Sequence, residues 1–375
     1  MLIVINALAP IIHPQARAMQ SRIRQLSMDL ASQHPEHAFL IIDDVPNASL
    51  QLPNVTTHVH AKAPNSWWKY RYWLDIQLPF LLRKRVVDAV IQPYGFTSAT
   101  IRCAQLMLTD GVVPLQQPTL FDKSTLRFYQ LFAKASLRRA AQIGVFSPQA
   151  YHQIISAIAA VRNKMHLLPP VSQLEITPKG WEQKEAIKAN YTEGCEFFLY
   201  TGSLHATGNI IVLLKAFAVF KKWQKSNMKL VILAQDAVEE AGLSEKIATY
   251  KFKDAVVIMK EPNQTDCQQL FSTAYAAVLT AMHYSFSDTI MDILKGGTPV
   301  LVAKNMGWEE MLQAAVIYVN VDDANEIGQH LIALYKNESL RMQYATKAVE
   351  WANQKQTSNT QQQALFWKML SATVA

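Results

Sequence analysis

The sequence predicts an α/β chain of two facing, doubly wound, Rossmann-like parallel-sheet domains. Three observations carry that expectation. At ~150 residues per domain, 375 residues leave room for two to three units, each with its own core. Short continuous apolar runs alternate with helical patterns, as parallel strands covered on both faces require. The alternation halts once, in the proline-rich and polar stretch LPPVSQLEITPKG, and then restarts.

Leu2 to Ile5 reads as the first strand. Ala18 to Gln33 follows as an amphipathic helix with Ile23, Leu26 and Leu30 on its apolar face. Phe39 to Ile42, Ala89 to Ile91, Gln105 to Leu108 and Gln142 to Phe146 continue the apolar runs, with helical patterns over Trp73 to Arg85 and Ser124 to Arg139. These define a first domain over 1–170. Residues 171–195 read as a linker. Strands are then expected at Phe197 to Thr201, Lys229 to Leu233, Ala255 to Met259, Ala276 to Leu279, Pro299 to Val302 and Val316 to Val319. Helices fall at Ile210 to Trp223, Thr265 to Ser272 and Thr289 to Lys295, giving a second domain over 196–355. Helical patterns at Asp323 to Lys336, Glu338 to Trp351 and Thr357 to Leu370 close the chain. In such folds ligands bind at the carboxyl ends of the strands, so a cleft between the domains is the expected site.

Composition narrows the function classes. Half of the residues are hydrophobic and 17% are charged, which describes a globular chain. The net charge of +7 is spread out with no block of like charges, so nucleic acid is not an expected partner. Cys103, Cys195 and Cys267 lack pairing spacing and read as buried small hydrophobes in a reducing compartment. The start MLIVINALAPIIHPQ has neither the basic region of a signal peptide nor an apolar run long enough to span a bilayer, so a cytoplasmic chain is expected. Asp43-Asp44 and Asp322-Asp323 are adjacent acids rather than a spaced pair and read as loop or cap residues, and no His pair has zinc spacing. No metal and no cofactor are expected.

The segment LYTGSLHATGNIIVLLKAFAVFKK, then KLVILAQ, then AVVIMKEPNQTDCQQLFSTAYAAVLTAMHYSFSDTIMDILKGGTPVLVAKNMGWEEML, resembles the donor domain of retaining GT-B glycosyltransferases of family 4. WLDIQLPFLLRKRVVDAVIQPYGFTS, LMLTDGVVPL and LRFYQLFAKASLRRAAQIGVFSPQAYHQI are similar in order and spacing to that family's acceptor domain. The resemblance implies transfer of a sugar from a nucleotide-sugar donor to a glycan or lipid-linked acceptor, with retention and without a catalytic metal. It also implies that the helix in 356–375 crosses back to the first domain.

Carried over residue by residue, the family's site is depleted here. Aligned on G-T-P-V, Tyr284 stands at the first of two family glutamates and Asp292 at the second. The glycine turn between them reads Ser285, Phe286, Ser287, and Asp288 places a carboxylate at the helix start, where phosphates would sit. Thr207 and Gly208 occupy the positions of a basic pair, leaving His205 and Lys260 as the nearest cationic candidates. Restoring that pair with Thr207→Arg and Gly208→Lys is expected to tighten diphosphate binding. Ser203, Asn209, Gln235 and Thr289 complete the expected donor-side lining. On the acceptor side, Thr109 stands at the family's histidine, before Asp110; with Asp292 these are the residues assigned to catalysis.

Two functional readings remain open: a transferase with an altered donor site, and a non-catalytic GT-B protein binding a nucleotide, a glycan or a partner transferase. Trp67, Trp68, Tyr70, Tyr72 and Trp73, interleaved with Lys69 and Arg71 and followed by Arg83, Lys84 and Arg85, also carry two readings. One is a basic aromatic helix in peripheral contact with the inner face of a membrane. The other is a packed helix with Trp73, Ile76, Leu78 and Leu81 turned inward. Oligomeric state has no signal in the sequence.

Overall fold

Seven parallel strands form the first sheet: β1 (Leu2–Asn6), β2 (Ala38–Asp43), β3 (Val55–Val59), β4 (Ala89–Gln92), β5 (Ala104–Thr109), β6 (Gln142–Val145) and β7 (Met165–Leu167). Their order is β3-β2-β1-β4-β5-β6-β7. Six strands form the second: β8 (Phe197–Leu204), β9 (Lys229–Glu239), β10 (Val256–Lys260), β11 (Ala276–Leu279), β12 (Val300–Ala303) and β13 (Ile317–Val319), in the order β10-β9-β8-β11-β12-β13. Both sheets are doubly wound, and the winding reverses between β1 and β4 in one and between β8 and β11 in the other. The structure is a computed structural model. It describes all residues except 11, 14–15, 45–51, 61, 169–171, 173, 240–241, 282–286, 305–306, 355–358 and 375, and gives no side-chain surroundings at 16–18, 235–239, 287 and 359–360.

The chain divides into two compact units, Met1–Pro169 with Thr357–Ala375, and Pro170–Gln356. In the first unit the helix Asn359–Val374 lies against β5 and β6 and against the helix Ala16–Gln33. Phe366, Met369 and Leu370 are buried there, and Trp367 stacks on His34 with ring centroids 3.5 Å apart. Central strands are apolar on both faces because helices cover both: Ile3, Val4 and Ile5 in β1, and Phe197 to Tyr200 in β8, are all buried.

The expected linker at 171–195 is corrected in part. It lies in the second unit and carries the helix Trp181–Thr192. Ile187 is buried, the Tyr191 hydroxyl donates to Asp266 Oδ1 at 2.7 Å, and Lys188 donates to Glu185 at 2.5 Å and Glu196 at 2.7 Å. So few apolar residues on an otherwise polar helix leave little periodic signal. The cysteines are free, as their spacing implied, but half-buried rather than buried.

The aromatic segment forms one continuous helical stretch: Trp67–Tyr72, a π turn over Trp73–Gln77, then Leu78–Leu82. Ser66 caps its start by accepting from Lys69 N–H. Pro79 has no N–H to offer the carbonyl one turn back. That carbonyl, on Asp75, instead accepts from the Thr100 hydroxyl at 2.7 Å. Trp67, Tyr70, Trp73, Leu74 and Leu78 are buried, whereas Ile76, expected inside, is exposed.

Candidate functional site

Each winding reversal brings two loops side by side at the carboxyl ends of neighbouring strands. In the second unit these are the loop after β8 and the loop after β11. The first runs through a tight turn at Ala206–Gly208 to Asn209, which opens the helix Ile210–Trp223 with φ of 56°. The second runs through Thr280 to the helix Ser287–Lys295. Thr280 Oγ1 donates to Gly208 O at 3.0 Å and ties the loops together.

Neutral groups hold the first loop closed. Ser203 Oγ accepts from His205 N–H at 3.0 Å, and His205 Nδ1 accepts from Thr207 N–H at 3.3 Å. With Nδ1 accepting, the neutral ring carries its proton on Nε2. Asn209 Nδ2 donates to Val321 O at 2.7 Å. Gly208 is fixed by space: a Cβ there would lie 2.0 Å from Ser203 O and 2.6 Å from Tyr200 Oη. The expectation that Gly208→Lys would add a useful cation is therefore overturned, because the side chain would start inside the backbone of its own loop.

The helix Ser287–Lys295 carries three of the expected residues. Asp288 in its first turn is buried, Thr289 is half-buried, and Asp292 lies one turn further on at 3% exposure. Asp292 Oδ1 accepts from Ser172 Oγ at 2.7 Å and Leu174 N–H at 3.4 Å, and Lys295 Nζ donates to the same Ser172 Oγ at 3.0 Å. Burial pushes the Asp292 carboxyl up to about 7, the Ser172 hydrogen bond opposes the rise, and the neighbouring Asp288 charge adds to it. Asp292 is thus a carboxyl poised between its two forms at neutral pH, already hydrogen-bonded to the segment before the first strand of its unit.

Lys260 does not gather at this point. It is exposed at the end of β10, with β9 between its strand and β8, roughly 10 Å by strand spacing. Tyr284 lies outside the described residues. Gln235 is in β9 and Ser287 opens its helix, but their side chains are outside the description too.

In the first unit, the reversal lies between β1 and β4, where Asn6 Nδ2 donates to Gln92 Oε1 at 2.9 Å. Trp73 Nε1 in turn donates to Asn6 Oδ1 at 3.2 Å. Thr109, assigned to catalysis on the resemblance, is buried, and its hydroxyl donates to Gly111 O at 3.2 Å and accepts from Gly111 N–H at 3.1 Å. That oxygen closes a turn. Asp110 instead meets a residue that sequence reasoning missed, His13 from the loop after β1. His13 Nε2 lies 3.7 Å from Asp110 Oδ1, and its ring packs edge-on to Trp67 and Tyr94 with centroids 6.0 and 5.8 Å away. An imidazole therefore stands beside Asp110 although the preceding residue is Thr.

Asp43 is no loop residue. It is fully buried and takes Arg24 Nε at 2.5 Å and Nη2 at 2.7 Å as a bidentate pair, with Gln20 Nε2 at 2.9 Å. Burial alone would raise its pKa, but the Arg24 hydrogen bond and charge hold it below the usual carboxylate range. Among the described residues no group of three His, Cys, Asp or Glu is placed to hold a metal ion.

Residues 182–351 match the family described as glycosyl transferases group 1. The O-antigen chain mannosyltransferase RfbU of Salmonella typhimurium is 23% identical over 279 residues, covering 74% of this chain and 73% of that protein. The crystal structure of WaaG, a glycosyltransferase involved in lipopolysaccharide biosynthesis, is similar with a TM-score of 0.76 at 12% identity, over 100% of this chain and 98% of that one. HepE of Anabaena, in complex with UDP and glucose, is similar with a TM-score of 0.71 at 14% identity, over 99% and 100% of the two chains. The two Rossmann-like parallel-sheet domains are those of the GT-B fold.

Proposed function

We propose that the chain is a retaining glycosyltransferase of the family 4 type, moving a hexose from a nucleotide-sugar to a glycan or lipid-linked acceptor. The observation that carries this reading is positional: the span matched by glycosyl transferases group 1 contains both loops of the β8/β11 reversal. The relatives support the chemistry, since RfbU is described as a mannosyltransferase and HepE was crystallised with UDP and glucose.

In this reading the second unit takes the donor. Its diphosphate rests on N–H groups at the starts of the helices Ile210–Trp223 and Ser287–Lys295. Ser203, His205 and Thr207 offer neutral contacts where a basic pair is absent, and Asp292 exchanges its Ser172 bond for a ribose hydroxyl. The first unit takes the acceptor, with His13 and Asp110 orienting its hydroxyl. The bond from the anomeric carbon to the diphosphate oxygen breaks, and the bond to the acceptor oxygen forms on the same face. The acceptor proton leaves on the departing phosphate oxygen. No metal is given a step. The free thiols Cys103, Cys195 and Cys267 support a cytoplasmic setting.

One observation favours the second reading, a GT-B pseudoenzyme binding a nucleotide, a glycan or a partner transferase. Asp288 is buried in the first turn of the helix where the phosphates would rest, and the segment Ser203 to Asn209 holds no Lys or Arg to meet a diphosphate. Melting-temperature shifts with UDP, GDP and their sugars, followed by nucleoside diphosphate release with acceptor, decide between the two. Ligand at ~100 times its Kd adds about 2.7 kcal/mol of stability. A shift with turnover supports transfer, a shift without turnover supports the pseudoenzyme, and no shift with any nucleotide removes the donor site.

A further inference from the structure

Among the described residues, half of the large hydrophobic side chains left exposed lie on two adjoining helical stretches of the first unit or just beyond the first of them: Trp68, Tyr72, Ile76, Phe80 and Leu131 on the helices, and Val86 after the turn that ends the first. Trp68, Tyr72, Ile76 and Phe80 recur every fourth residue along residues 67–82 and are between 47% and 61% exposed. In an α-helix, four-residue steps drift around the axis by ~40° each. The π turn over Trp73–Gln77 winds less per residue and offsets part of that drift, keeping the four side chains in one ridge.

The second stretch is the helix Lys123–Arg139, fixed beside the first by shared contacts. Trp67 Nε1 donates to Thr125 Oγ1 at 2.9 Å, which donates to Asp122 Oδ2 at 2.6 Å, and Trp68 packs edge-on to Phe128 and Phe132. Both stretches are basic on the outside. Lys69 on the first, Arg83, Lys84 and Arg85 in the turn that follows it, and Lys123, Arg127, Lys134, Arg138 and Arg139 on the second are exposed. The Arg83 guanidinium lies 3.8 Å from the centre of the Phe80 ring, so charge and apolar surface share one spot.

Acidic groups on this face are turned inward or occupied. Asp75 is the one acid in residues 67–85 and takes Arg71 at 2.6 Å and Ala99 N–H at 2.7 Å. Residues 123–139 contain no acid, and Asp122 before them caps the helix by accepting from Ser124 and Thr125 N–H. No helix of the described residues is long and apolar enough to cross a membrane.

We propose that this face docks on an anionic lipid surface, with the ridge Trp68–Tyr72–Ile76–Phe80 entering the headgroup boundary and the surrounding Lys and Arg side chains meeting lipid phosphates. Charge complementarity selects this occupant. A second copy would bring nine like charges against nine, and an apolar partner would leave them unmatched. An amphipathic ridge with a basic rim is what interfacial binding requires.

The test is co-sedimentation of the full chain with vesicles of phosphatidylcholine alone and with about a third phosphatidylglycerol, which supplies the negative surface. Binding at least tenfold stronger to the anionic vesicles, falling as salt rises, is expected. Ile76→Ser with Phe80→Ser should lower binding roughly tenfold or more. Arg83→Glu, Lys84→Glu and Arg85→Glu together should abolish the anionic preference, since each near-surface cation is worth roughly fivefold. The charge variant changes only exposed residues, so it keeps the test open if the apolar variant folds poorly. Equal binding to both vesicles, wild-type binding by the folded charge variant, or a dimer in lipid-free solution dissolved by Phe80→Ser would overturn the proposal. No sugar or nucleotide enters this assay, so its failure and that of the transfer reading are distinguishable.

Discussion

Ser172 Oγ donates to Asp292 Oδ1 at 2.7 Å while accepting from Lys295 Nζ at 3.0 Å, so one hydroxyl links a buried acid to a cation on the same helix. The carboxyl remains short of compensation, and burial raises it to about 7. A folded-state pKa above the unfolded value of 3.8 means that this group's stabilising contribution is full below pH 3.8. It is lost as pH rises through about 7.

Asp292→Asn keeps an oxygen for Ser172 and removes the charging cost. The variant should melt with the wild type near pH 4 and be more stable at pH 8.5, by about 2–4 kcal/mol from the size of the shift. Denaturant titrations at both pH values check this. A constant difference across the range would mean that Asp292 does not titrate there. If nucleotide binding is found, the same variant should weaken it; unchanged affinity would remove the ribose contact.

Gly208 admits no side chain. Gly208→Ala should cost about 3 kcal/mol or more, because the Cβ contact at 2.0 Å is with Ser203 O, which the loop cannot move without losing the bond it accepts from the Tyr200 hydroxyl at 2.9 Å. Thermal unfolding of the alanine variant reads the loss directly. A near-neutral change would show a loop more open than the structure has it.

His13→Ala should leave nucleotide-induced melting shifts unchanged and lower transfer turnover by about 100-fold, the scale of a lost orienting contact. Asp110→Asn should behave alike, and the double variant should fall short of the sum because the two side chains meet. A matching loss of nucleotide binding would place His13 in the donor site instead.

Asp43→Asn breaks a bidentate pair with Arg24 and should destabilise the protein at pH 7 by about 2–3 kcal/mol, discounted for the part-exposed guanidinium. The Asp43 pKa is lowered, so its contribution is present above 3.8 and lost as pH falls through the folded value. The variant and wild type should therefore converge in acid, which unfolding curves between pH 7 and pH 3 would follow.

Strands buried on both faces announced themselves in the sequence. β1, β5, β8, β9 and β11 carry apolar runs because both of their faces are covered. β3, reading Val-Thr-Thr-His-Val at the sheet edge, and the three-residue β7 were not legible, since an edge strand is half solvated and needs no such run. At the candidate site, Asp292 and the loop Ser203 to Asn209 were reached by resemblance, whereas the Ser172 bond to Asp292 and the Thr280 bond to Gly208 had no signal in the residues. The His13–Asp110 contact had no local signal, because it joins two loops far apart in the chain. The shift at Asp292 depends on Ser172 and on burial, neither of which a residue string records.

The helix Asn359–Val374 completes a sheet whose strands were all synthesised before the second unit began. Until it arrives, the faces of β5 and β6 that will hold Phe366, Met369 and Leu370 have no cover. The first unit made on the ribosome is therefore the last to close, and it must keep that surface from other nascent chains while nearly two hundred residues of the second unit emerge. A truncation near residue 355 would spare the unit it adjoins and uncover β5 and β6 in the other.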